Sequence, residues 1–161
     1  NEHGRPLPGG MFPECSFATY STHDHDPIGA TWNACHRAVW RNHGHHATTG
    51  DAEAARGAAR GLRVLAEFAD IPCPANDHWL RFTDGIQWRL FKALFASRSR
   101  HAGLMVTELF GLEDRINAPG SPGDTNWRFR LPWTLTEVNE TPALNSVGSK
   151  LAAIIGITRR G

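Results

Sequence analysis

At 161 residues, 40% of them hydrophobic and with a net charge of +1, the chain has the make-up of one globular domain with a real core. No basic excess points to nucleic acid, and no apolar run approaches the length that spans a membrane. Positive charge is nearly all arginine, and the three widely spaced cysteines, Cys15, Cys35 and Cys73, argue against a disulfide framework and for a reducing compartment such as the cytoplasm.

Residues 1–13, with Gly4-Arg5-Pro6-Leu7-Pro8-Gly9-Gly10, read as a loop arriving from something earlier. With no initiator Met, signal peptide or targeting tail, the chain is expected to be a piece of a longer protein. Residues 15–22 are β-prone and predict a strand that runs into Thr22-His23-Asp24-His25-Asp26-Pro27. Pro27 ends the strand and can open a helix. That order sets His23 and Asp24 at the C-terminal tip of a strand, where parallel α/β folds keep their chemistry. Asp24 is read as an active-site carboxylate and His23 as its neighbouring hydrogen-bond donor. Two other readings stay open here. One is a solvated turn in which Asp26 caps the following helix. The other is a metal site built on His23 and His25, with His43, His45 and His46 downstream. The binuclear H-x-H-x-D-H version fails, because Pro27 and Ile28 stand where Asp and His are needed.

From Ile28 the apolar spacing turns helical: Ile28, Trp32, Cys35 and Val39 predict a helix over 28–41, with Trp32 packed in the core. Gly44 is its expected stop. The histidine run at 43–46 sits in a polar loop with no carboxylate or cysteine at ligand spacing, so no metal is expected there. A second helix is predicted over 51–69, with Ala55, Ala58, Leu62, Leu65 and Ala69 on one face, weakened by Gly57 and Gly61. Ile71-Pro72-Cys73-Pro74 breaks it. A cap at 82–84 then leads into a strongly apolar helix over 86–96, which must be covered on more than one side.

Residues 102–111 form a short apolar run bounded by turn signals and predict a buried parallel strand that ends near the carboxylate of Glu108. Strand, helices, strand is βαβ logic, so the fold class expected is α/β. Beyond it, Arg115-Ile116-Asn117-Ala118-Pro119-Gly120 and Asn126-Trp127-Arg128-Phe129-Arg130 bracket a Ser/Pro/Gly/Asp loop. These side chains can line a site for a hydroxyl-rich ligand; the alternative is a turn with Trp127 tucked onto the core. The last segment is expected to be helical over 144–155.

Three stretches, in order, carry a resemblance. Thr22-His23-Asp24-His25-Asp26, then Thr107-Glu108-Leu109-Phe110-Gly111 with Arg115-Ile116-Asn117-Ala118-Pro119-Gly120, then Asn126-Trp127-Arg128-Phe129-Arg130, together resemble the C-terminal part of the 4-α-glucanotransferases (amylomaltases). The motifs span roughly residues 16–131. The resemblance implies a (β/α)8 TIM barrel, of which residues 1–161 would be one C-terminal fragment holding about strands seven and eight with their helices. It implies transfer of α-1,4-glucan segments between maltooligosaccharides or starch-type glucans with retention, which uses a carboxylate nucleophile and an acid/base carboxyl. A third carboxylate stabilises the transition state, and it matches Asp24. His23 matches the substrate-contacting histidine, and Asn117 the asparagine of the R-x-N-x-P-G loop at an acceptor-side subsite. Glu108, Trp127 and Arg128 are further candidate sugar contacts. No cofactor and no metal are implied.

The departures are specific. Nothing in residues 1–161 matches the nucleophile or acid/base motifs, so the partner needed is the missing N-terminal part of the same barrel. His25 stands where Asn is commoner in the family, and Pro27 where Thr is. A non-catalytic carbohydrate-binding module and a metal-dependent hydrolase remain the competing readings.

Overall fold

The computed structural model describes residues 6–43, 48–120 and 126–158. After a single 3-10 turn at Gly9–Met11 come strand β1 (Phe17–Ala18) and helices α1 (Ile28–Asn42), α2 (Thr49–Phe68) and α3 (Asp84–Phe95). Strand β2 (His101–Ala102), helix α4 (Val106–Leu109), helix α5 (Leu135–Glu140) and helix α6 (Pro142–Ile157) complete the order. The architecture is mixed but helix-rich, with little sheet. Among the described residues no helix is long and apolar enough to cross a membrane.

The long helices form where the periodicity places them. On α1, Ile28, Trp32 and Val39 are buried along one stripe and pack against Ala59, Leu62 and Ala66 of α2. Helix α2 starts two residues earlier than expected, at Thr49 rather than Asp51. Thr48 and Asp51 cap each other: the Asp51 amide donates to Thr48 Oγ1 at 3.2 Å and the Thr48 amide to Asp51 Oδ2 at 2.8 Å. These hydrogen bonds hold the Asp51 carboxyl below its usual range. On α3, Thr83 accepts from the Ile86 amide as N-cap, and the helix is buried on two sides. Ile86 and Leu90 face the cluster built on Trp32, while Phe91 and Phe95 face a second cluster with Ile154 of α6. Burying a side chain such as Leu90 or Phe91 contributes about 1.5–3 kcal/mol, so α3 is the seam of the fold.

Both strand expectations need correction. Among the described residues the sheet is one parallel pair, Phe17 opposite His101 and Ala18 opposite Ala102, not strands over 15–22 and 102–111. Irregular backbone bonds extend the pairing on either side, from the Arg100 amide to Glu14 O and from the Gly103 amide to Ala18 O. The apolar run that follows turns helical only at Val106–Leu109, where Glu108 bends back to accept from the Met105 amide and closes the first turn of α4. Glu108 therefore sits on a short helix rather than at a strand tip. The C-terminal segment is also more helical than expected, with α6 reaching Ile157 and α5 preceding it. The predicted stop at Gly44 and the histidines His45 and His46 lie outside the described residues.

Candidate active site

The site grows from two loops that meet. The first, residues 22–27, leaves β1 by way of Ser21 and enters α1. It is a tight turn: the His25 amide donates to Thr22 O at 3.0 Å, and Thr22 Oγ1 lies 2.7 Å from His25 Nδ1. This turn lifts His23 and Asp24 to the surface; His23 is exposed and Asp24 half-buried. Ile28, the first residue of α1, is buried in the core cluster with Trp32.

The second loop, 115–118, is laid along the first. The Asn117 amide donates to His23 O at 3.0 Å. Arg115 donates through Nε to Asn117 O at 2.7 Å and through Nη2 to Asp24 O, and its Nη1 lies 3.5 Å from Asp26 Oδ1. One guanidinium thus joins the two loops with its fixed fork of donors. The Asn117 side-chain amide then donates to Asp24 Oδ1, the same oxygen that His23 Nε2 approaches at 3.4 Å. Both contacts fall on Oδ1, and Oδ2 has no hydrogen-bond partner among the described residues. A carboxylate with one oxygen held and the other available is suited to gripping a hydroxyl or facing a developing positive charge.

Trp127 closes the third side. Its ring centroid lies 4.9 Å from that of His23, and its own face is 61% exposed. The alternative of a tryptophan tucked onto the core is excluded. Trp127 also holds a left-handed φ of 62°, uncommon for so bulky a residue, with its amide donating to Ile116 O at 2.9 Å. Asn126 fastens this turn to the second loop, accepting from the Ala118 amide at 2.9 Å and donating back to Ala118 O. Arg128 follows Trp127 on the exposed side of the turn.

His23, Asp24, Asn117 and Trp127 are therefore one constellation. Glu108 is not an open member of it, which corrects its reading as a sugar contact. It is 2% exposed, and its carboxylate is spent inside the protein on Ser21, Ile28 and Met105. The burial of Tyr20, and secondarily the nearby charge of Glu108, pushes the Tyr20 phenol above its usual range; that hydroxyl donates to Leu90 O at 2.7 Å. Arg115, which joins the two loops, was not singled out as a site residue from the sequence, although it stands two positions before Asn117 in the same motif. His43 stacks on His78 beside Trp40, and among the described residues no three His, Cys, Asp or Glu side chains group as a metal-binding set.

A family model described as 4-alpha-glucanotransferase matches residues 2–136. Two solved structures share the fold. Amylomaltase from Corynebacterium glutamicum superposes with a TM-score of 0.63 at 20% identity, covering 91% of this chain and 23% of that one. Amylomaltase from Streptococcus agalactiae in complex with acarbose superposes at 0.54 and 19% identity, covering 93% of this chain and 23% of that one. The chain thus spans under a quarter of the length of either. No curated protein matches it.

Proposed function

The chain belongs to the 4-alpha-glucanotransferase family, and from that premise we propose that it is the C-terminal part of an enzyme that moves α-1,4-glucan segments between maltooligosaccharides with retention. In this reading residues 1–161 supply about the seventh and eighth strands of a (β/α)8 barrel with their helices, and the nucleophile and acid/base lie in the preceding part of the same protein. Asp24 is the third carboxylate. It faces the positive charge that develops at the anomeric carbon and grips sugar hydroxyls in the distorted ring. His23 and Asn117 hold its Oδ1 and contact hydroxyls of their own. Trp127 offers an exposed aromatic face to a sugar ring, with Arg128 beside it. Glu108 is given no contact with substrate. Free Cys15, Cys35 and Cys73 support a reducing, cytoplasmic setting.

The observation that carries this reading is the Asp24 carboxylate held between the His23 imidazole and the Asn117 amide, residues 93 positions apart in sequence for the latter pair. A solvated cap would not need a remote amide and a guanidinium to aim it. The test is maltotriose disproportionation by the full-length protein that carries this chain. Glucose and a ladder of longer maltooligosaccharides are expected. Binding of maltooligosaccharides without turnover would move the assignment to a carbohydrate-binding module, and neither binding nor turnover would end the glucan reading.

A further inference from the structure

We propose that Glu108 is the positioning residue of the Asp24 loop, a buried carboxylate that sets catalytic geometry without touching substrate; the proposal rests on the role of Asp24 given above. Its Oε1 accepts from the Ser21 hydroxyl at 2.7 Å and from the Ile28 amide at 3.2 Å. Ser21 is the last residue before the 22–27 loop and Ile28 the first residue of α1 after it. A single oxygen therefore closes the base of the segment that presents His23 and Asp24. Its Oε2 accepts from the Met105 amide at 3.1 Å, tying that base to the start of α4.

The chain then leaves α4 through Gly111, at φ 67°, and runs into the Arg115–Ala118 loop that clamps Asp24 from the other side. Gln87 of α3 secures α4 in turn, its side-chain amide donating to Glu108 O at 3.1 Å and Leu109 O at 3.0 Å. Among the described residues, Glu108 is thus the one side chain bonded both to the base of the first loop and to the start of the helix that launches the second.

A buried carboxylate is costly unless its oxygens are satisfied. Here they are met by one hydroxyl and two backbone amides, with no Lys, Arg or His in ion-pair range among the described residues. The partial positive charge at the start of α1 supplies the rest of the compensation. Proline at the N-cap position offers no side-chain oxygen, so Glu108 caps this helix from 80 residues away. Core filling alone would call for an apolar residue. An anion with three converging donors fixes direction as well as volume.

The experiment uses the full-length protein and a maltooligosyl fluoride donor, whose good leaving group keeps residual rates measurable. Glu108→Gln keeps the size but turns an NH2 group toward donors. Its kcat is expected to fall about tenfold to a hundredfold, with KM within about twofold. Ser21→Ala removes the bond on the loop side alone, and its kcat is expected to fall by about threefold to tenfold. Each change is then added to Asp24→Asn. If Glu108 acts through Asp24, the double variants are no slower than Asp24→Asn alone, within about twofold. Full additivity would overturn the proposal, because a merely structural role lowers every background alike. Wild-type kcat in Glu108→Gln would overturn it too. Where Glu108→Gln does not fold, Ser21→Ala decides by the same criterion. Asp24→Asn at the wild-type rate would sink the Asp24 role first, and the proposal with it.

Discussion

Asn117→Ala separates the aiming of Asp24 from the docking of the loops. The substitution removes the amide that donates to Asp24 Oδ1. It leaves the backbone bonds of residue 117 in place, from its amide to His23 O at 3.0 Å and from Arg115 Nε to its carbonyl at 2.7 Å. The loop therefore stays docked while the carboxylate loses one of the two contacts on Oδ1. A hydrogen bond to a charged group is worth about 1.5–3 kcal/mol. At about 1.36 kcal/mol per decade, that corresponds to roughly a tenfold to 150-fold loss in rate. Asn117 is only half-buried, so the melting temperature should stay within a few degrees. The assay is steady-state maltotriose disproportionation by the full-length variant, with kcat and KM resolved. Wild-type kcat would refute the reasoning. So would a loss carried entirely by stability, since it would make Asn117 a structural brace rather than a partner of Asp24.

His23→Ala should lower kcat/KM by about 1.5–3 kcal/mol without unfolding the protein, because the side chain is 49% exposed; a collapse of the thermal melt would mark it as a core histidine. Trp127→Gly should leave stability level or slightly raised, since glycine accepts a φ of 62° that costs an L-residue about 1–2 kcal/mol, yet weaken maltooligosaccharide affinity through loss of the exposed ring. Fluorescence titration with maltoheptaose reads the second effect, and unchanged affinity would remove Trp127 from the site. Residues 1–161 expressed alone should neither turn over maltotriose nor melt cooperatively. The two-residue ladder has open edges, and Phe17, Leu80, Leu135 and Ile157 are all exposed. A cooperative melt with turnover would require a complete catalytic pair within this chain.

The helices were legible because a 3.6-residue stripe needs only local information. Trp32 and Val39 declare the buried face of α1 in the sequence, and the Thr83 cap declares the start of α3. The strands were not, because a short apolar run reads alike whether a neighbouring strand or a helix covers it. Residues 104–110 make up α4 and its flanks, with Thr107 and Glu108 buried, Leu104 and Leu109 packed on the second cluster, and Val106 exposed. The deciding signals are a side-chain bond from Glu108 to Met105 and a close approach at Gly103, where a Cβ would meet the Phe17 ring at 2.6 Å. Neither leaves a periodic trace. At the site, the β-prone run before them pointed to His23 and Asp24, and the family resemblance to Asn117, with Trp127 a candidate contact on its loop, but neither told how they meet. The Arg115 fork crosses 91 positions to reach Asp24, and the burial of Glu108 follows from the helix that the strand reading denied it.

Asp24→Asn in the full-length protein tests the central claim most directly. Asparagine is nearly isosteric, and its carbonyl oxygen can still accept from the Asn117 amide, so the loops keep their geometry while the charge is lost. Removing one preorganised electrostatic partner costs about two to three decades of rate. The account predicts that kcat for maltotriose disproportionation falls by that factor while glucan binding and the melt stay near wild type. Near-normal turnover in this variant would contradict it.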